Sequence, residues 1–320
     1  MTNRLRLLAI ALLAAASCLF LNSAPKAAAD SAAPTGITVS PAFQQVSIDS
    51  SESAQPVSFT IINNKTTPQT ISLSAQDFNS LSETGGLLFV GSNPTQLQKK
   101  YGLAQWLQLP QKSLTLQPKQ SIKITANILN LPSLSAGGHY GALMIGLDNG
   151  GKQASGNGVS LHPVASSLLF VTKIGGDTHK LSLANVYVKR SMLRLPGSVT
   201  LRFHNDGNTH LIPRGSVSLY DGRQRLISKG IINQDSGIIL PGTFRRYSVY
   251  LSSVHRPLLP GHYTLNVDFR FDGISQYRRY STSFFSIPRL ARTIEVLIVL
   301  VILTVIAWWI VRNYRSYNKK

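Results

Sequence analysis

The chain has 320 residues, a formal net charge of +19 at pH 7 and a single cysteine. Its length accommodates two domains of ordinary size that each bury a core, and one cysteine excludes a disulfide framework. The basic excess calls for a solvated surface or an anionic partner, and its position along the chain bears on the choice.

Arg4 and Arg6 precede an apolar run from Leu7 to Leu21, and Ala27-Ala28-Ala29 supplies small residues for cleavage before Asp30. Residues 1–29 therefore read as a secretory signal peptide. Cys18 lies in its apolar stretch and reads as a small residue of that segment, so the mature chain has no thiol.

The first module, residues 30–172, contains the alternating run Val57-Ser58-Phe59-Thr60-Ile61, broken at Asn63-Asn64-Lys65. The second, residues 173–290, contains Val199-Thr200-Leu201-Arg202-Phe203, broken at His204-Asn205-Asp206-Gly207-Asn208. Each goes on to a proline corner and a repeated phrase: Leu116-Gln117-Pro118 then Gly138-His139-Tyr140, and Leu240-Pro241-Gly242 then Gly261-His262-Tyr263. Two copies of one module explain the recurrence. Alternation over Tyr263, Leu265, Val267, Phe269 and Phe271 places these on a core face and Thr264, Asn266, Asp268 and Arg270 on a wet one. His262 then faces solvent, and a hydrogen bond to a neighbouring loop is expected of it and of His139. The first copy is longer by about 19 residues, which fall between Phe78 and Trp106 in a Gly/Ser/Asn-rich stretch expected to form a loop or an added hairpin. Trp106, with Leu107 and Leu109, is expected in the core. Short strands, turn residues and proline corners predict an all-β chain of two tandem immunoglobulin-like antiparallel sandwiches.

Residues 291–320 form the last segment. Ile294–Val311 is apolar but for Glu295, and as a helix it would run about 27 Å, close to the ~30 Å hydrocarbon layer. It reads as a single membrane span, with Trp308 and Trp309 at the interface. Arg312, Arg315, Lys319 and Lys320 follow on the cytoplasmic side and the β-modules lie outside the cytoplasm.

Charge divides unevenly. Residues 30–172 carry seven Lys/Arg against six Asp/Glu, a balance of +1, whereas 173–293 carry eighteen against six, a balance of +12. Arg223, Arg225, Arg245, Arg246, Arg278 and Arg279 are the candidate polyanion-binding residues, if they share a face. No recognition helix or zinc spacing favours nucleic acid. Asp206-Gly207-Asn208 and Asp272-Gly273 read as hairpin turns rather than calcium loops. No nucleophile, carboxylate pair or metal cluster stands out, so no catalytic, cofactor or metal residue is assigned and the protein is not expected to be an enzyme.

The stretches Trp106-Leu107-Gln108-Leu109, Ser113 to Ile124 and Gly137 to Leu143 resemble the peptidoglycan-binding domain of WxL-interacting proteins. Ile37-Thr38-Val39-Ser40-Pro41-Ala42 and Gly207 to Pro213 resemble relatives with the same layout. The resemblance implies a bacterial surface protein with two immunoglobulin-like domains and a membrane anchor. It also implies contact with cell-wall glycan, an anionic wall polymer or a surface protein partner. A chaperone-like assembly factor that presents a strand edge to secreted clients is the alternative. An exposed apolar edge in the first module would favour it.

Overall fold

The computed structural model describes residues 36–49, 51–90, 94–147, 164–189, 194–257 and 260–317. The expected signal peptide with Cys18, and Lys319 and Lys320, lie outside them.

In the first sandwich, β1 (Ile37–Ser40), β3 (Ala54–Asn63), β8 (Ser121–Leu129) and β6 (Leu107–Gln108) form one sheet in that order. The other runs β2 (Phe43–Ile48), β10 (Val164–Lys173), β9 (Gly137–Leu147), β4 (Gln69–Ser80) and β5 (Leu87–Phe89), with β7 (Ser113–Leu116) also on β4. Chain passes from β1 to β2 through a cis Ser40–Pro41 peptide, leaving one sheet for the other. The alternation around Phe59 has the predicted effect: Val57, Phe59 and Ile61 are buried against Leu143, Ile145, Leu169 and Val171 of the second sheet. Trp106 is in this core, its indole nitrogen donating to Ser133 Oγ at 3.2 Å.

The second sandwich pairs β11 (Leu181–Val188), β12 (Ser198–Asn205) and β15 (Phe244–Tyr250). Its larger sheet runs β16 (Ser252–Ser253), β14 (Leu226–Ile232), β13 (Arg214–Asp221), β17 (Gly261–Arg270) and β18 (Arg278–Ser286). Tyr263, Leu265, Val267, Phe269 and Phe271 are buried as the alternation requires, and His262 is exposed. The chain is all-β through both immunoglobulin-like sandwiches.

A buried asparagine underlies the repeated phrase in each sandwich. Asn63 Nδ2 donates to the carbonyls of Thr67, Leu116 and Gln117, and its Oδ1 accepts from Lys65 N. Asn205 Nδ2 donates to Thr209 O and Ile239 O, and its Oδ1 accepts from Gly207 N. Each amide thus ties the end of a strand to the proline corner, and both residues are 0% exposed. The corners match too: Gln117 to Gln120 and Leu240 to Thr243 are turns whose third residues, Lys119 and Gly242, have φ of 60° and 67°. That conformation suits glycine and strains lysine.

The insertion after Phe78 is a hairpin, with Phe78 opposite Phe89 and Ser80 opposite Leu87, followed by a short helix, Gln96–Lys100, capped by Thr95. At the other end stands one long helix, Arg289–Tyr317, whose stretch Thr293–Ile310 has mean hydropathy 2.5 and none of it buried. By length and composition it suits a bilayer.

Candidate functional site

Leu168-Leu169-Phe170-Val171 breaks the one-wet-face rule of an antiparallel sheet, and the structure shows why. Leu169 and Val171 enter the first core, while Leu168 and Phe170 project from the opposite face of β10. Tyr140 and Ala142 on β9 and Phe78 on β4 join them there. Ring centroids lie 5.2 Å apart for Phe78 and Phe170 and 5.8 Å for Tyr140 and Phe170, both edge to face. Leu240 of the second sandwich covers this aromatic face, and the His210 ring meets both Tyr140 and Phe170. Burying one such ring contributes roughly 2–3 kcal/mol, so the cluster joins the sandwiches firmly. Polar bridges flank it: Gly138 N donates to Asn208 O at 2.7 Å, and the hydroxyls of Thr172 and Thr209 lie 3.1 Å apart.

His139 has its partners inside the first sandwich. One ring nitrogen lies 3.0 Å from Gly102 O and the other 2.8 Å from Ser135 O. Burial, partly offset by those carbonyls, lowers its pKa. Burial also lowers His210, to about 4, with Asp272 opposing the shift and His179 adding to it. The two Gly-His-Tyr phrases therefore lie in opposite senses: His139 faces its own core and Tyr140 the neighbouring sandwich, whereas Tyr263 is core and His262 is wet.

Beside the aromatic cluster opens a cleft of about 500 Å³ between the sandwiches, with Phe43, Leu168 and Phe170 on one wall and Ile238, Leu240 and Phe244 on the other. The sheet ends at this cleft. Strand β2 runs parallel to β10 from Leu168 to Lys173 only, so the Val164–Ser167 stretch of β10 has no strand on that side among the described residues. β2 is itself the terminal strand, and Phe43 on it is 58% exposed. A strand edge without a partner strand among the described residues thus adjoins an apolar trough, a combination that recruits an added strand.

The inserted hairpin closes one end of the cleft. Glu83 at its tip accepts from Arg202 Nη2 at 2.7 Å and pairs with the Arg246 guanidinium, and its carbonyl accepts from Arg246 N at 2.7 Å. The Arg202 hydrogen bond holds the Glu83 carboxyl below the usual carboxylate range. Arg202 in turn lies 3.6 Å over the Phe244 ring.

The six candidate arginines do not form one patch. Arg245 and Arg246 are on β15, in the smaller sheet; Arg278 and Arg279 are on β18, in the larger one; Arg223 and Arg225 sit in the turn after β13. Arg246, Arg225 and Arg279 pair with Glu83, Asp221 and Asp268, Arg245 donates to Ile238 O, and Arg278 donates to Leu181 O. These arginines are therefore spread over both sheets, and five of the six are engaged with neighbouring groups of the chain. Trp308 and Trp309 are exposed on the C-terminal helix, which also carries Arg312 and Arg315, whose side chains lie outside the described residues. Sequence reading missed Phe43 and Glu83, whereas the apolar run Leu168-Leu169-Phe170-Val171 signals packing at the junction of the two modules.

No protein-family model and no curated protein matches the chain. Solved structures do, and those resembling it include fimbrial chaperones. One, described as a chaperone–tip adhesin complex vital for CFA/I fimbriae biogenesis, is 9% identical over 79% of this chain and 100% of that one, with TM-score 0.43. The class 5 fimbriae chaperone CfaA is 9% identical over 79% and 99%, with TM-score 0.42. The E. coli chaperone DraB is 11% identical over 77% and 96%, with TM-score 0.34. These findings overturn the resemblance to WxL-interacting proteins, whose matched positions here are core and turn residues. With it fall the wall-glycan and anionic wall-polymer partners and the reading as a peptidoglycan-binding bacterial surface protein.

Proposed function

We propose that the chain is a chaperone-like assembly factor that holds client polypeptides by adding their strands to the first sandwich, with the C-terminal helix as its single membrane span. The supporting observation is the sheet edge that has no partner strand among the described residues, Val164–Ser166 and the outer side of β2, which adjoins an apolar cleft at Phe43 and Leu168. Main-chain hydrogen bonds along such an edge supply affinity with little sequence demand, and the trough takes alternate side chains of the added strand. The signal-like residues 1–29 would direct both sandwiches out of the cytoplasm, and the basic residues after the span would remain inside. The proposed client is a secreted β-rich subunit with an incomplete sheet.

The test uses the full chain in detergent and, as probe, an immunoglobulin-like domain lacking its last strand, which aggregates alone. Wild-type chain should suppress the aggregation, and a photo-crosslinking residue at position 43 should capture the probe. Phe43→Arg, at an exposed site, should weaken suppression about tenfold without lowering stability. Equal suppression by the variant, together with no crosslink, would remove the edge and cleft as the binding site.

A further inference from the structure

A second cavity, about 690 Å³, lies at the base of the second sandwich. Pro288 and Thr293 line it, so it spans the junction between the last strand and the exposed apolar helix, whose bilayer-length stretch begins at Thr293. Its chemistry differs from that of the upper cleft. Arg194, Arg256 and His255 line it, and among the described residues no Asp or Glu does. Among the described residues neither Arg194 nor Arg256 has a carboxylate partner, whereas Arg202, Arg214, Arg225, Arg246 and Arg279 each have one. Ser228, on β14 in the cavity wall, is 7% exposed, yet its hydroxyl has no hydrogen-bond partner. A buried hydroxyl without a partner is unfavourable and marks a place where a ligand atom or water completes the structure. Ile227 and Leu251 give the rest of the surface an apolar character.

Two guanidinium groups without a carboxylate partner among the described residues match the oxygens of a phosphate diester, the same two cations disfavour an ammonium-bearing headgroup, and an apolar wall suits the glycerol and upper acyl chain. We propose that this cavity binds the headgroup of an anionic glycerophospholipid in the leaflet facing the sandwiches, with Arg194 and Arg256 on the phosphate and Ser228 on a headgroup hydroxyl. The inference rests on the helix being a membrane span, as proposed above. A lipid held there fixes the height and tilt of the sandwiches over the membrane and so the direction in which the client edge points.

The full chain, reconstituted in nanodiscs of phosphatidylcholine with a minority of phosphatidylglycerol, is released into mild detergent and its retained lipid identified by native mass spectrometry. One phosphatidylglycerol per chain should be retained. Arg194→Gln with Arg256→Gln should reduce retention about tenfold, Ser228→Ala should reduce it less, and Arg223→Gln, outside the cavity, should leave it unchanged. Unselective retention of both lipids, or undiminished retention by the double variant, would overturn the proposal. So would displacement of the lipid by millimolar inorganic phosphate, which would identify a free-anion site. Alkaline carbonate extraction separates the two readings: a chain that leaves the membrane refutes the span, whereas one that stays embedded but shows no selectivity refutes the lipid site alone.

Discussion

Asn205 engages both polar atoms of its amide inside the second sandwich, so truncating it strands several buried backbone groups. Asn205→Ala should lose on the order of 3 kcal/mol in urea unfolding, while Asn64→Ala, whose amide bonds an exposed Thr38 hydroxyl, should lose under about 1 kcal/mol. Equal losses would mean that the amide does not hold the corner. His210 makes stability depend on pH. Its pKa is about 4 in the fold and 6.5 without it, so in acid the unfolded chain binds the extra proton. Its contribution is complete above pH 6.5, falls as the pH drops toward 4, and amounts to about 3 kcal/mol across that window. His210→Phe should flatten that part of the stability profile, measured as urea midpoint against pH. His139 adds to the slope in the same direction, since burial also depresses its pKa.

Strand β17 offers the clearest test at the level of single elements, because adjacent residues have opposite surroundings. Phe269 is buried, with its ring 5.0 Å from that of Phe203, while Asp268 makes an exposed pair with Arg279. Phe269→Ala should cost about 3–5 kcal/mol and Asp268→Ala less than about 1 kcal/mol by chemical denaturation. This face assignment was legible in the sequence because the strand has one wet side. β9 and β10 were not legible in the same way: with cores on both sides they carry apolar residues at successive positions, and a period of two cannot report which residue faces which partner. That is why the repeated Gly-His-Tyr phrase suggested one geometry and adopts two. The hairpin was foreseen as an alternative to a loop, but its attachment depends on Glu83 meeting two arginines more than a hundred residues away, which no local pattern encodes. Glu83→Ala should release it, read as faster hydrogen exchange at the Arg246 amide that Glu83 O now accepts. Unchanged protection there would show that backbone contacts alone hold the hairpin.

Two tandem sandwiches unfold independently unless their junction packs closely, and the Tyr140, Phe170, His210 and Leu240 contacts are such packing. A single calorimetric transition should therefore describe residues 36–286, and Leu240→Asp should split it into two. Two transitions in the wild type would mean that the shared cluster contributes too little to couple them. That cluster also has a history within each newly made molecule. Seventy residues separate Phe170 from Leu240, and at about 5–20 residues per second the first sandwich exists for several seconds before its cover is synthesised. During that interval the nascent chain presents bare aromatic rings to everything around it. The apolar face that Leu240 covers in the finished fold is thus an exposed one while the chain is being made.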